Sequence, residues 1–137
     1  VLYENDRKNT KNLSKARSLY QQGCEKKDMV GCVNLALMHE SGRGAVQDID
    51  RAEALFTRAC EKGEVSGCWR LGRRLLNHPT RQQEGEELLE KACISGQPDS
   101  CFDFAKALAT QKTHKEHIRG YLLRACTGGV KEACKRL

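Results

Sequence analysis

The eight cysteines of this 137-residue chain fall at 24 and 32, 60 and 68, 93 and 101, and 126 and 134, so every pair reads Cys-x7-Cys. Successive pairs are offset by 36, 33 and 33 residues. A repeat of that length is the signature of stacked helical hairpins, in which no single unit can bury its apolar face alone. The similarity reaches beyond the cysteines. Val1–Cys24 aligns without gaps on Leu37–Cys60 and pairs Glu4 with Glu40, Arg7 with Arg43, Ala16 with Ala52 and Leu19 with Leu55. A shift of 33 pairs Leu89 with Leu122, Ala92 with Ala125 and Gly96 with Gly129.

Each unit reads as helix A, a loop and helix B. In helix A the second cysteine opens a stripe at i, i+3, i+4 and i+7: Cys32, Leu35, Ala36, His39; Cys68, Leu71, Gly72, Leu75; Cys101, Phe104, Ala105, Leu108. In helix B the stripe leads to the first cysteine: Ala16, Leu19, Tyr20; Ala52, Leu55, Phe56, Ala59; Leu88, Leu89, Ala92; Ile118, Tyr121, Leu122, Ala125. Asn12, Asp48, Thr80 and Thr113 are expected to cap the B helices, the last two with capping-box partners Gln83 and Glu116. Gly63, Gly96 and Gly128-Gly129 fall where a left-handed C-cap is wanted, and Lys27 stands at that place in the first unit. The units are then 1–24 (partial), 25–60, 61–93, 94–126 and 127–137 (partial), in a single domain 1–137. By the alignment Val1 begins late in an A helix, so a fragment of a longer repeat protein is expected.

Eight cysteines allow 105 pairings, and geometry narrows them. Along one continuous helix two cysteines eight residues apart would be separated by about 12 Å, whereas a disulfide needs less than about 7 Å between Cα atoms. Breaking the helix near Gly63 and reversing the chain brings Cys60 and Cys68 to one level. Small residues, Gly31, Gly67, Ser100 and Ala133, precede the second cysteine each time and permit close approach. The expected bonds are 24–32, 60–68, 93–101 and 126–134. Each closes a loop worth about 2.5 kcal/mol on the chain-entropy account. So many paired cysteines imply an oxidising compartment, secreted or periplasmic. Zinc prefers Cys-x2–4-Cys and four converging ligands, and His114 with His117 lies at an exposed helix start, so neither a metal nor another cofactor is expected. A redox Cys-x-x-Cys is absent.

The stretch from Cys32 through Glu40-Ser41-Gly42-Arg43-Gly44-Ala45-Val46, followed by Asp48-Ile49-Asp50-Arg51-Ala52 and Leu55-Phe56, resembles the Sel1-like repeat. The Cys-x7-Cys junctions are similar to the cysteine-rich Sel1-like proteins typified by the Helicobacter cysteine-rich family. The resemblance implies an all-α fold, an α/α solenoid of Sel1-like, TPR-like hairpins stapled by disulfides. It further implies an exported scaffold that binds a protein or peptide on the concave face of its A helices. Some cysteine-rich members are described as penicillin-binding or as β-lactamases. Against that reading, three residues after Ser14, Ser18, Ser41, Ser66, Ser95 and Ser100 stand Arg17, Gln21, Gly44, Trp69, Pro98 and Asp103, so no Ser-x-x-Lys exists. A secreted antigen or immunity-type protein directed at one partner is a further alternative.

Within the A helices, positions one and five after the cysteine flank the core stripe: Val33 and Leu37, Trp69 and Arg73, Phe102 and Lys106. Aromatic residues beside Arg and Lys fit a segment carrying an acidic group or a C-terminal carboxylate, and Trp and Arg are typical hot-spot types. The alternative reading has Trp69 and Phe102 covering disulfides. A net charge of +6 with both signs interspersed points away from nucleic acid. No apolar run is long enough to span a membrane, and a monomer is expected.

Overall fold

The computed structural model describes residues 2–111 and 115–137, with side chains placed from Lys11 onward. Its described residues form eight helices and no strand: α1 (Leu2–Glu25), α2 (Met29–Ser41), α3 (Ile49–Glu61), α4 (Val65–Leu76), α5 (Gln82–Ile94), α6 (Pro98–Gln111), α7 (Lys115–Thr127) and α8 (Lys131–Lys135). The even-numbered helices are the A helices and the odd-numbered ones the B helices. The chain divides into two compact units, Val1–Gly67 and Cys68–Leu137, with the division in the first turn of α4.

Every B helix ends in the same way. Three residues beyond its cysteine the backbone turns left-handed, at Lys27 (φ 70°), Gly63 (φ 90°), Gly96 (φ 102°) and Gly129 (φ 101°). The next amide then reaches back five residues, Asp28 to Gly23, Glu64 to Ala59, Gln97 to Ala92 and Val130 to Ala125, at 2.8–3.0 Å. A second bond runs from Lys27, Gly63, Gly96 and Gly129 to the cysteine carbonyl three residues before, at 3.0–3.1 Å. These paired bonds define a Schellman turn, which closes the orphan carbonyls of one helix while aiming the chain into the next. Lys27 holds this conformation without glycine's freedom, at a cost of about 1–2 kcal/mol.

The turn brings the two cysteines of a pair level. Cα atoms are 4.6 Å apart in Cys24–Cys32 and Cys93–Cys101, and 4.7 Å apart in Cys126–Cys134. Cys60 and Cys68 are disulfide-bonded too, and no free cysteine remains. The small residue before each second cysteine meets the preceding B helix. A methyl group on Gly67 would lie 2.9 Å from Ala59 Cβ and 3.1 Å from the Phe56 carbonyl oxygen; one on Gly31 would lie 3.1 Å from that of Tyr20. In the third repeat the side chain at this place is Ser100, fully buried, which donates its hydroxyl to the corresponding Leu89 carbonyl at 2.6 Å. At Gly31 and Gly67 the helices approach too closely for a methyl group to sit at ordinary contact distance, whereas Ser100 is accommodated through its hydrogen bond.

In the first unit α2 packs between α1 and α3, and Leu35, Ala36, Ala52, Leu55, Phe56 and Ala59 are buried. The α2–α3 loop turns at Gly42 (φ 72°) and Gly44 (φ 79°), and Asp48 caps α3 by accepting the Arg51 amide at 3.0 Å. In the second unit Leu89, Phe104 and Leu108 form one core cluster, and Cys93, Cys101, Ala105, Leu122, Ala125 and Ala133 another. The shorter α4–α5 connection is made by backbone contact. A methyl on Gly85 would sit 2.8 Å from both the Gly72 carbonyl oxygen and the Leu76 nitrogen.

Three local expectations are corrected. The alignment of Val1–Cys24 on Leu37–Cys60 implies a loop before a cap at Asn12, yet α1 runs unbroken through that residue. The reason is the absence of glycine before Gly23, so nothing reproduces the positive φ values of Gly42 and Gly44. Thr80 does not cap α5. Its amide and hydroxyl face His78 Nδ1 at 3.2 and 3.3 Å, and the helix starts after Arg81, whose guanidinium grips Glu84 at 2.9 and 3.1 Å. That grip holds the Glu84 carboxyl below its ordinary value. Leu19, expected in the core stripe, is 63% exposed on α1. Thr113 and His114 lie outside the described residues.

Candidate functional site

The A helices α4 and α6 of the second unit build a strip of alternating aromatic and charged side chains. Trp69 and Arg73, one turn apart on α4, share a helix face, as do Phe102 and Lys106 on α6. Asp103 joins the two helices. Its Oδ2 accepts the indole N–H of Trp69 at 2.7 Å and lies 3.4 Å from Arg73 Nε, while its Oδ1 lies 3.4 Å from Lys106 Nζ. The Asp103 side chain is 14% exposed, against 50% for Arg73 and 43% for Lys106. A carboxylate with one short hydrogen bond, two cations and little water is strongly held.

The aromatic faces carry cations as well. The guanidinium carbons of Arg70 and Arg73 lie 4.4 and 5.4 Å from the Trp69 ring centroid. Lys106 Nζ lies 4.4 Å from the Phe102 centroid and the Arg136 guanidinium 5.3 Å from it. Such pairs are worth about 0.5–1 kcal/mol each at exposed sites. Alongside runs an open groove of about 400 Å³ lined by Arg73, Asp103 and Lys106, with Asn77, Gln82 and Thr110 among its other lining residues.

Of the six residues expected to contact a partner, the structure gathers Trp69, Arg73 and Lys106 around Asp103 and sets Phe102 beneath Lys106. Val33 and Leu37 belong to the first unit, on α2. Val33 is only 6% exposed, because α2 is packed from both sides, and it is withdrawn as a partner contact. Leu37 is half-buried. The sequence reading missed Asp103 and Arg136. Their partners stand 34 residues back, Asp103 on Trp69 and Arg136 on Phe102, one more than the 33-residue period. After Cys101 and after Cys134 the second residue therefore meets the first residue after the preceding A-helix cysteine, a register that the spacing alone does not display.

Two other grooves lie in the second unit. One, of about 500 Å³, has Glu86, Glu87 and Glu90 along it with Phe104 and Tyr121 among its lining residues. Tyr121 packs edge-on against Phe104 and donates its hydroxyl to Glu90 at 3.0 Å, and burial followed by that bond raises its pKa above the ordinary 10.0. The other, of about 460 Å³, runs beside the Cys93–Cys101 bond and is flanked by Ile94, Pro98 and Leu123.

Repeated helical hairpins closed at each junction by a disulfide define a cysteine-rich helical-repeat protein. The Sel1 repeat model matches residues 2–28 and 30–64. No curated protein sequence matches the chain. Solved structures show the same fold across nearly all of it. A protective antigen present in uropathogenic Escherichia coli strains, displaying an SLR fold, superposes with a TM-score of 0.79 at 22% identity, over 88% of this chain and 27% of its own. A Sel1 repeat protein from Oxalobacter formigenes gives 0.80 at 18% identity, over 88% and 52% respectively. Cysteine-rich protein B of Helicobacter pylori gives 0.70 at 23% identity, over 93% of this chain and 96% of its own. The chain thus spans about a quarter and about half of the first two structures and nearly the whole of the third.

Proposed function

We propose that the chain is an exported, disulfide-stabilised scaffold, secreted or periplasmic, that binds a protein or peptide through the A-helix surface of α4 and α6. Sel1 repeats mediate protein interactions, which supports a protein or peptide as the partner. Cysteines all closed into disulfides favour an oxidising, extracytoplasmic compartment, and none of the described helices is long and apolar enough to cross a membrane. The observation that carries the reading is the strip itself, in which two part-exposed aromatic rings lie between cations. Such groupings anchor interfaces because they offer apolar area and directed charge at small entropic cost. The partner this strip suits bears an acidic group or a C-terminal carboxylate.

A pull-down from cells of the native source, comparing the oxidised wild-type chain with Trp69→Ala/Arg73→Ala, tests the surface. The expected result is loss of a specific captured protein from the variant, with its helical circular dichroism retained. Equal capture by both would place binding elsewhere.

A further inference from the structure

Resting on that reading, we infer that Arg73 and Lys106, set by Asp103 as their positioning residue, form a receptor for one carboxylate, and that the occupant is an extended peptide segment presenting a single internal Asp or Glu side chain. Arg73 meets Asp103 through Nε at 3.4 Å, and its guanidinium carries two further amino groups with donors of their own. Lys106 meets Asp103 Oδ1 and, with three donors on its ammonium, has donors to spare. Both cations line the same groove of about 400 Å³, as does Asp103. Two like charges repel when placed side by side, and the carboxylate between them is what holds them together. Trp69 fixes that carboxylate in turn through a 2.7 Å hydrogen bond from a ring that two arginines cover.

The charge balance selects the ligand. Arg73, Lys106 and Asp103 together carry one net positive charge, which matches one carboxylate, and Arg70 and Arg136 on the adjoining rings add to the positive potential around it. The route of the chain is set by what flanks the receptor. Arg70 lies over Trp69 on α4 and Arg136, just after α8, lies over Phe102 on α6, so cationic ground adjoins the receptor at both of its A helices. A segment that passes through uses both sides, whereas a chain terminus would use one. Asn77, Gln82 and Thr110, uncharged donors and acceptors along the groove, suit the amides of an extended backbone.

Phage-displayed random heptapeptides, flanked on both sides by the coat-protein linker, select ligands for the immobilised oxidised chain. The expected outcome is a consensus with Asp or Glu at one fixed internal position. A synthetic amidated peptide of that consensus should lose about tenfold or more in affinity when its acid becomes the amide, and again for Arg73→Gln or Lys106→Gln. Asp103→Asn, which raises the receptor's net charge by one, should shift preference toward a phosphoserine in place of the acidic residue. A retained thermal midpoint and circular dichroism would show that each variant is folded. A consensus without a fixed acid, or one whose affinity ignores both glutamine variants, overturns the carboxylate receptor and leaves the scaffold reading standing. Equal binding by an amidated peptide and by one whose only carboxylate is its C-terminus overturns the internal side chain. Equally tight competition by single-stranded DNA overturns the peptide in favour of a polyanion. No consensus at all, or one unmoved by Trp69→Ala/Phe102→Ala, overturns the scaffold reading as well.

Discussion

Replacing Trp69 by Phe keeps a ring on α4 but removes the N–H that Asp103 accepts at 2.7 Å. A hydrogen bond to an ionised acceptor contributes about 1.5–3 kcal/mol. Here Asp103 keeps Arg73 and Lys106 at 3.4 Å and is 14% exposed, so water and two cations recover part of the loss. The coupling between Trp69 and Asp103 should therefore be about 1–2 kcal/mol. A double-mutant cycle isolates it from the change in ring size. Wild type, Trp69→Phe, Asp103→Ala and the double variant would be unfolded in urea under oxidising conditions and followed by far-ultraviolet circular dichroism. Each single variant is expected to lower the midpoint, and the double variant to be more stable than the two losses added together predict. Additive losses, with a coupling below about 0.3 kcal/mol, would mean that the bond does not tie α4 to α6 and that the strip is not preset.

The remaining predictions concern the frame. Gly85→Ala should destabilise the chain by about 1–3 kcal/mol, because its methyl would sit 2.8 Å from backbone atoms of α4. Gly120→Ala, on α7 with nothing within 4 Å of the added methyl, should instead stabilise it by about 0.5–1 kcal/mol; thermal midpoints read both, and a shared sign would refute the contact. Lys27→Gly should raise the midpoint by about 2 °C by releasing a left-handed lysine at φ 70°. Tyr121, whose folded pKa is raised by burial and by its bond to Glu90, should contribute stability fully present below pH 10.0 and lost as pH climbs through the folded value. Tyrosinate absorbance subtracted between wild type and Tyr121→Phe checks it, and a difference curve centred at or below 10.0 would contradict the raised pKa.

What could be read from the sequence is what is local. A cysteine, a left-handed residue three places on and a small residue before the next cysteine all lie within nine residues, and together they specify the reversal between hairpins. The failures come from contacts and conformations that periodicity does not encode. Pairing Glu4 with Glu40 and Arg7 with Arg43 suggests a loop, but side-chain likeness cannot supply positive φ, and without glycine α1 continues as helix. Thr80 has the chemistry of a cap, yet His78 two residues back competes for its hydroxyl. Val33 shares its register position with Trp69 and Phe102 but is buried, since α2 is packed from both sides. Asp103 reads as one more solvated charge on an A helix; its meaning depends on which residues of the preceding repeat it meets, a matter of inter-repeat register rather than of pattern.

Trp69 is the sole tryptophan of the chain, so its indole N–H gives a single resonance at the centre of the strip. Titrating the ¹⁵N-labelled oxidised chain with an amidated peptide of the selected acidic consensus, and with its Gln or Asn counterpart, tests the binding surface most directly. The indole resonance should move with the acidic peptide and stay in place with the amide. An indole that stays fixed while amides elsewhere shift would show that the partner binds on another face.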